Sequence, residues 1–284
     1  MKELPGWLTP AAVVATFALM LALEWARPLR SRREATRPRI LRNLTLGALG
    51  FAILTLLQAP LLLPLAEWAA RERLGLLNLL ALPAWVELCL GVLLLDYTLW
   101  HWHRINHLWP LLWRFHVVHH IDLDLDASTA FRFHFGELTL SIGYRALQVL
   151  AIGPSLGALL LWQLLLVVCI LFHHSNLRLP LGLERALVRV VVTPRMHGIH
   201  HSLYRSETNA NWSSLLSAWD FLHRTLVLNV PQHDVVVGVP GCREPRLVGL
   251  GQILRRPFDA HPEDHGPDLV DRPHPKESLA TLAP

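Results

Sequence analysis

From His103 to His120 the chain reads HRINHLWPLLWRFHVVHH, five imidazoles in eighteen residues at the end of an apolar run. Its closing pattern, H-x-x-H-H at His116, His119 and His120, returns downstream as His197, His200 and His201, with His134 and the pair His173 and His174 between them. Side chains at i, i+3 and i+4 of a helix project from one side, so each triplet is expected to converge on one point. A lone histidine on an apolar face is usually a packed core residue. Two triplets and an i,i+4 pair are not accounted for that way. Neutral imidazole is the commonest protein metal ligand and suits first-row transition metals better than magnesium or calcium. Ten candidates follow: His103, His107, His116, His119, His120, His134, His174, His197, His200 and His201. One metal takes roughly four to six ligands, so ten argue for two metals. His173 competes with its neighbour, and His223, after Trp219 and Asp220, is a candidate for supporting the site; His233, His261, His265 and His274 lie in polar surroundings and receive no role.

Working outward, the apolar run that delivers these histidines opens at Pro83 and carries Glu87 and Asp96. A carboxylate inside such a run is costly without a partner. On a helix Asp96 lies within about 40° of the stripe shared by His103 and His107, so it is expected to accept the spare N–H of a ligating imidazole and fix its tautomer. With 52% hydrophobic and 17% charged residues, the chain is too apolar for an ordinary soluble protein. The net charge of +4 is concentrated in one early segment, which excludes a nucleic-acid footprint. Cys89, Cys169 and Cys242 form no C-x-x-C pair and read as small buried hydrophobes in a reducing compartment.

Residues 8–26 are nearly uninterrupted apolar up to Glu24 and long enough to span a bilayer. A cleaved signal peptide is the weaker reading, since only Lys2 charges the start. Seven arginines (27, 30, 32, 33, 37, 39 and 42) against Glu34 then place the next loop in the cytoplasm. A second span runs from Asn43 to about Ala70, broken by Pro60 and Pro64, and Leu76 to Leu82 suggests a short interfacial helix. Apolar segments 138–152 and 155–172, joined by Gly153-Pro154-Ser155, read as a hairpin dipping into the bilayer. It returns His134 beside His173 and His174, on the side where the third span leaves the other histidines. Short strands or loops are expected near 226–250, and a disordered tail after about 260. The expected fold is all-α: an integral-membrane helical bundle of about three spans plus a helical hairpin, capped by a cytoplasmic, helical, histidine-rich metal domain.

No H-E-x-x-H is present, which argues against a thermolysin-like zinc protease, and no E-x-x-H, which argues against a carboxylate-bridged bundle di-iron site. All-imidazole sites with open positions permit redox iron. Inert lipid C–H bonds at membrane depth are what such iron could attack.

At these residues the chain resembles the fatty acid hydroxylase superfamily, also called the sterol desaturase family, of integral-membrane non-haem di-iron enzymes. The resemblance is carried by H-x3-H at His103/His107, H-x2-H-H at His116/His119/His120 and His197/His200/His201, R-F-H-x-x-E at Arg132–Glu137, and H-S-N at His174–Asn176. T-P-R-x-H at Thr193–His197 and N-x-N-W with W-D between Asn209 and Asp220 complete it. Phe135 stands where the family's H-P-x-E has proline, and Leu222-His223-Arg224-Thr225 where F-G-T is common. The resemblance implies a catalytic domain over 83–230, between an N-terminal transmembrane region, 1–82, and a polar, partly disordered tail, 231–284. It implies O2-dependent hydroxylation or desaturation of a sterol, fatty acyl or related membrane lipid at two non-haem irons. Electrons would come from a separate donor protein or reductase, since no fused cytochrome b5 domain, dinucleotide fingerprint or cysteine cluster is present. Two other readings stay open: a non-redox zinc-binding or hydrolytic membrane protein using the same histidines, and a metal transporter, which would need polar residues along several spans.

Overall fold

The computed structural model describes residues 8–259, so the tail after about 260 lies outside the described residues. Twelve α-helices are distinguished here. The apolar run near the start forms α1, Leu8–Ala26, and after the arginine loop α2, Thr36–Ile53, passes through a π-helical turn, Leu54–Gln58, into α3, Ala59–Arg71. Pro60 falls in the first turn of α3, where its missing N–H costs nothing, and Pro64 sits inside the helix. The continuous stretch Thr36–Arg71 is long and apolar enough to cross a membrane. A 3₁₀ turn, Leu77–Leu79, stands where the interfacial helix was expected.

The third apolar run is α4, Ala84–Leu108, followed after Trp109 alone by α5, Pro110–His120, whose first residue is a proline suited to a helix start. The hairpin is α6, Phe135–Ile152, and α7, Leu156–His174. Because His134 caps it, α6 starts ahead of the apolar run; its 18 residues reach about 27 Å, deeper than the dip expected. Of the hairpin's two helices, α7 is the one long and apolar enough to cross. Gly153 ends α6 with φ 65°, and Gly75, φ 91°, meets it so closely that a β-carbon would lie 2.4 Å from the Gly153 nitrogen. The two far-side turns are therefore packed backbone to backbone. Short helices complete the chain: α8 (Leu181–Leu187), α9 (Pro194–His200), α10 (Arg205–Thr208), α11 (Ala218–His223) and α12 (Leu250–Arg255).

α7 packs against α1 and α4, and α6 against α3. Leu95, Val149, Leu159, Trp162 and Leu166 fill the space between them. Among the described residues there are only isolated β-bridges, such as Ser202 with Val237, and no strand, so the strands expected near 226–250 are loops. This segment is nevertheless packed: Val239, Cys242, Val248 and Ile253 lie against Trp113, Val117 and Val118 of α5.

The arginine loop and the histidines share one end of the bundle. Arg39 of α2, 1% exposed, donates to Asp122 at 3.0 Å and Thr129 at 2.8 Å, and also to Asp126. Asn43 donates to Asp122 and Ser128, and accepts from Arg132 at 2.8 Å. Glu24 accepts from the backbone N–H groups of Ala127 and Asn176. These buried partners tie the first two helices to the loops that follow α5 and α7.

Candidate metal centre

α9 is built to present histidines. The Thr193 hydroxyl caps it and Pro194 opens it, so His197 and His200 fall in its last turn and His201 just beyond. Gly198 lets the arginine loop close over the helix: a β-carbon there would lie 2.1 Å from the Arg30 guanidinium. Asn211, at φ 56°, donates to the carbonyls of Met196 and Val227 and accepts from Val227 N–H at 2.7 Å, clamping α9 to the strand-like loop behind it.

The imidazoles gather into two buried groups that could each hold a metal ion: His103, His107, His116, His120 and His200, and His119, His174, His197 and His201. Each H-x-x-H-H box is therefore divided, which corrects the expectation of one convergence point per box. The i and i+4 members, His116 with His120 and His197 with His201, stay together; the i+3 members, His119 and His200, cross to the other group. On a helix i and i+4 are about 40° apart, while i+3 lies about 60° to the other side of i.

The donor atoms fit a cation. His119 and His174 direct Nδ1 to the carbonyls of Arg132 and Ile170 at 3.2 and 2.8 Å. Carbonyl oxygens only accept, so both Nδ1 atoms carry hydrogen and both Nε2 atoms are bare. Those two bare nitrogens face each other at 3.0 Å. In the other group His103 and His200 bond the carbonyls of Trp212 and Ala210 at 2.7 and 2.8 Å, and their bare Nε2 atoms face at 3.1 Å. Two lone pairs cannot form a hydrogen bond. Metal–nitrogen bonds of about 2.1 Å at right angles bring neighbouring donors to about 3.0 Å, the separation seen. His116 Nε2, His120 Nε2 and both nitrogens of His107 are buried without a protein partner. Burial pushes His119, His120, His197 and His201 well below the usual histidine range and His200 down to about 3, so they are neutral, the form that binds metal.

Two of the expected residues lie elsewhere. His134 belongs to neither group: its Nδ1 accepts the Gly136 N–H and its Nε2 meets the Leu254 carbonyl, so it caps α6 and holds the C-terminal segment. Asp96 accepts from Trp219 Nε1 at 2.6 Å and Leu216 N–H at 3.1 Å, not from an imidazole. It shares a stripe with His103, but seven residues of rise set them about 10 Å apart along the helix. His173 packs its ring 4.1 Å from that of His197 outside both groups, and His223 bonds Tyr97.

Roles the sequence reading left unassigned fall to residues within the quoted motifs. Glu137 of R-F-H-x-x-E accepts from His116 Nδ1 at 2.8 Å, providing the carboxylate that Asp96 was expected to be. Asp220 of W-D accepts from the N–H groups of Trp212 and Ser213, the Trp100 indole and the Thr225 hydroxyl, fixing the loop whose Trp212 carbonyl orients His103. The available signal was a carboxylate close to a histidine or tryptophan motif but outside the histidine boxes.

Residues 88–225 match the family model described as fatty acid hydroxylase. The chain is 30% identical to an ornithine lipid hydroxylase of Rhizobium tropici over 159 residues, 56% of this chain and 47% of that protein. It is also 30% identical to an alkylglycerol monooxygenase of Homo sapiens over 141 residues, 50% of this chain and 30% of that protein. The chain thus spans about half the length of these relatives, or less. No solved structure matches it.

Proposed function

Because the chain belongs to the fatty acid hydroxylase family through residues 88–225, we propose that it is an O2-dependent di-iron oxidoreductase that hydroxylates or desaturates a membrane lipid, a sterol, fatty acyl or related chain. The observation that carries this reading is the pair of bare imidazole nitrogens facing each other in each of two adjoining histidine groups. One iron would be held by His103, His107, His116, His120 and His200, the other by His119, His174, His197 and His201. Bound there, a redox iron pair supplies the oxygen activation that an unactivated C–H bond requires.

The chain's own residues do the rest. The carbonyls of Trp212, Ala210, Arg132 and Ile170 hold four imidazoles in the ligand tautomer. Glu137 accepts from His116 Nδ1 and so leaves its Nε2 bare for an ion. With four imidazoles against five, the His119, His174, His197 and His201 group would leave more of a bound ion free for exchangeable molecules. α4 and α7 bring their histidines to the membrane end of the domain, where an acyl chain or sterol ring lies within reach of a rigid site. The seven arginines beside the site support a cytoplasmic placement, where a separate donor protein or reductase would supply electrons.

Comparative lipidomics of cells with and without the gene tests the reading, run alongside metal analysis and turnover of protein reloaded with ferrous iron. A lipid class that gains the mass of one oxygen, or loses that of two hydrogens, only with the intact gene is the expected result. Full activity with zinc and none with iron would establish the non-redox alternative instead.

A further inference from the structure

A run of oxidisable side chains leads away from the five-histidine group. The Trp212 ring lies 6.4 Å from that of His107, and the Trp100 ring stands edge-on to Trp212 at 5.8 Å. His223 stacks on Trp100 at 4.1 Å, and the ring of Tyr97, one helical turn before Trp100 on α4, lies nearly parallel to that of His223 at 5.8 Å. Trp100 is 2% exposed and Trp212 5%, whereas Tyr97 and His223 are half-buried, so the run goes from the interior to a surface. Its middle member and its outer end each have a proton acceptor. The Trp100 indole N–H donates to the Asp220 carboxylate at 3.0 Å, and the Tyr97 hydroxyl lies 3.2 Å from His223 Nε2. Packing alone explains the ring contacts, but it does not call for a base on the Trp100 N–H and on the Tyr97 O–H; the Trp212 N–H has none. Indoles and phenols give up an electron far more readily than they accept one, and a hydrogen-bonded base eases that loss further, so the run suits transport of oxidising equivalents outward rather than electrons inward.

We infer that Trp212, Trp100 and Tyr97 form a hole-transfer chain that drains the metal centre when an oxidant forms there without a lipid to attack, with Tyr97 as the terminal, radical-bearing residue. The inference rests on the di-iron reading. In the step, one electron leaves Tyr97 and passes through Trp100 and Trp212 to the oxidant that dioxygen or peroxide generates at the metal group. That oxidant is reduced by one electron, the phenolic proton moves to His223 Nε2 in the tautomer that carries its hydrogen on Nδ1, and a neutral tyrosyl radical remains. At a half-exposed position, a small thiol or ascorbate-type reductant can return the hydrogen atom. The chain would spare the histidine ligands from self-oxidation.

The test uses full-length protein in detergent, reloaded with ferrous iron, mixed with peroxide without lipid and freeze-quenched for electron paramagnetic resonance. The chain holds three tyrosines, so assignment is direct. The wild type should give a tyrosyl signal that narrows when ring-deuterated tyrosine is incorporated. Tyr97→Phe should abolish it, with unchanged iron content and peroxide consumption, and Trp100→Phe should suppress it while Tyr97 is intact. Without the chain, oxidised histidine should accumulate at the ligand positions, read by mass spectrometry. Peroxide consumption by iron-loaded wild type with no tyrosyl signal, or a signal that survives Tyr97→Phe, overturns the chain while leaving the metal reading intact. Failure to bind iron at all overturns both.

Discussion

Glu137 offers the sharpest separation of the two metal groups. Its Oε1 lies 2.8 Å from His116 Nδ1, both residues are buried, and the structure gives it no bond to a member of the four-histidine group. A hydrogen bond to a charged group contributes about 1.5–3 kcal/mol. At about 1.4 kcal/mol per tenfold, its loss should weaken metal binding by about one to two decades, which matches the 10–100-fold typical when a ligand's hydrogen-bond partner is removed. Glu137→Gln keeps an acceptor and loses the charge, so it belongs at the low end; Glu137→Leu leaves the imidazole N–H without a partner and belongs at the high end. The assay is graded chelator competition on loaded protein, with retained metal counted per chain. The wild type should hold two ions to a common high chelator concentration. In the variants one ion should leave early, earlier for Leu than for Gln, while the second holds. Loss of both ions together, or of neither, would refute the assignment of His116 and Glu137 to one group.

Other outcomes follow from the same geometry. Alanine at His200 or His174 should each abolish turnover and cost one ion, whereas alanine at His261 or His274 should leave metal content and activity unchanged, as metal analysis and lipid turnover will show. Burial alone would raise the Asp122 carboxyl, but Arg39, then Arg132 and Arg42, hold it down to about 2. Its folded value lies below the unfolded one of about 3.9, so this contribution, about 2 kcal/mol, is present above about pH 4 and is lost as the pH falls towards 2. Denaturation midpoints at neutral and acid pH should show that Asp122→Asn starts less stable and loses less on acidification; an equal acid loss would remove Asp122 from the account. Gly198→Ala should drive Arg30 off α9 and lower metal retention, read by the same chelator titration. Finally, Ser31→Cys should be shielded from an impermeant thiol reagent in intact cells, and labelling without lysis would reverse the proposed sidedness.

The helical plan and the nine gathered imidazoles, all among the ten expected, were legible because both follow from local rules: apolar length for the long helices, and the i,i+4 spacing for His103/His107, His116/His120 and His197/His201. Their division between two groups was not, because it depends on how α5 and α9 cross, which is set by contacts far apart in sequence such as Arg30 on Gly198 and Asn211 on Met196. Asp96 misled because angular position was weighed without the rise along the axis. His134 misled because a histidine before a helix can cap it as readily as bind metal, and Gly136 N–H is already there to be capped. Glu137 was passed over because it lies outside every H-x-x-H pattern, and only folding brings α6 beside α5.

The facing lone pairs set an order on the protein's making. His103 and His200 are 97 residues apart, and their bare nitrogens repel until a cation lies between them. The apolar contacts of the bundle and the Thr193, Asn211 and Arg30 bonds that hold α9 can form alone, but the last approach of these imidazoles calls for a cation. If the ions are iron, metallation would come late in maturation and act as an inspection: a chain made in an iron-starved cell would keep its imidazoles apart and its α9 end less tightly fastened for quality-control proteases to find. Abundance of this protein should then follow iron supply after translation, with no change in its messenger RNA.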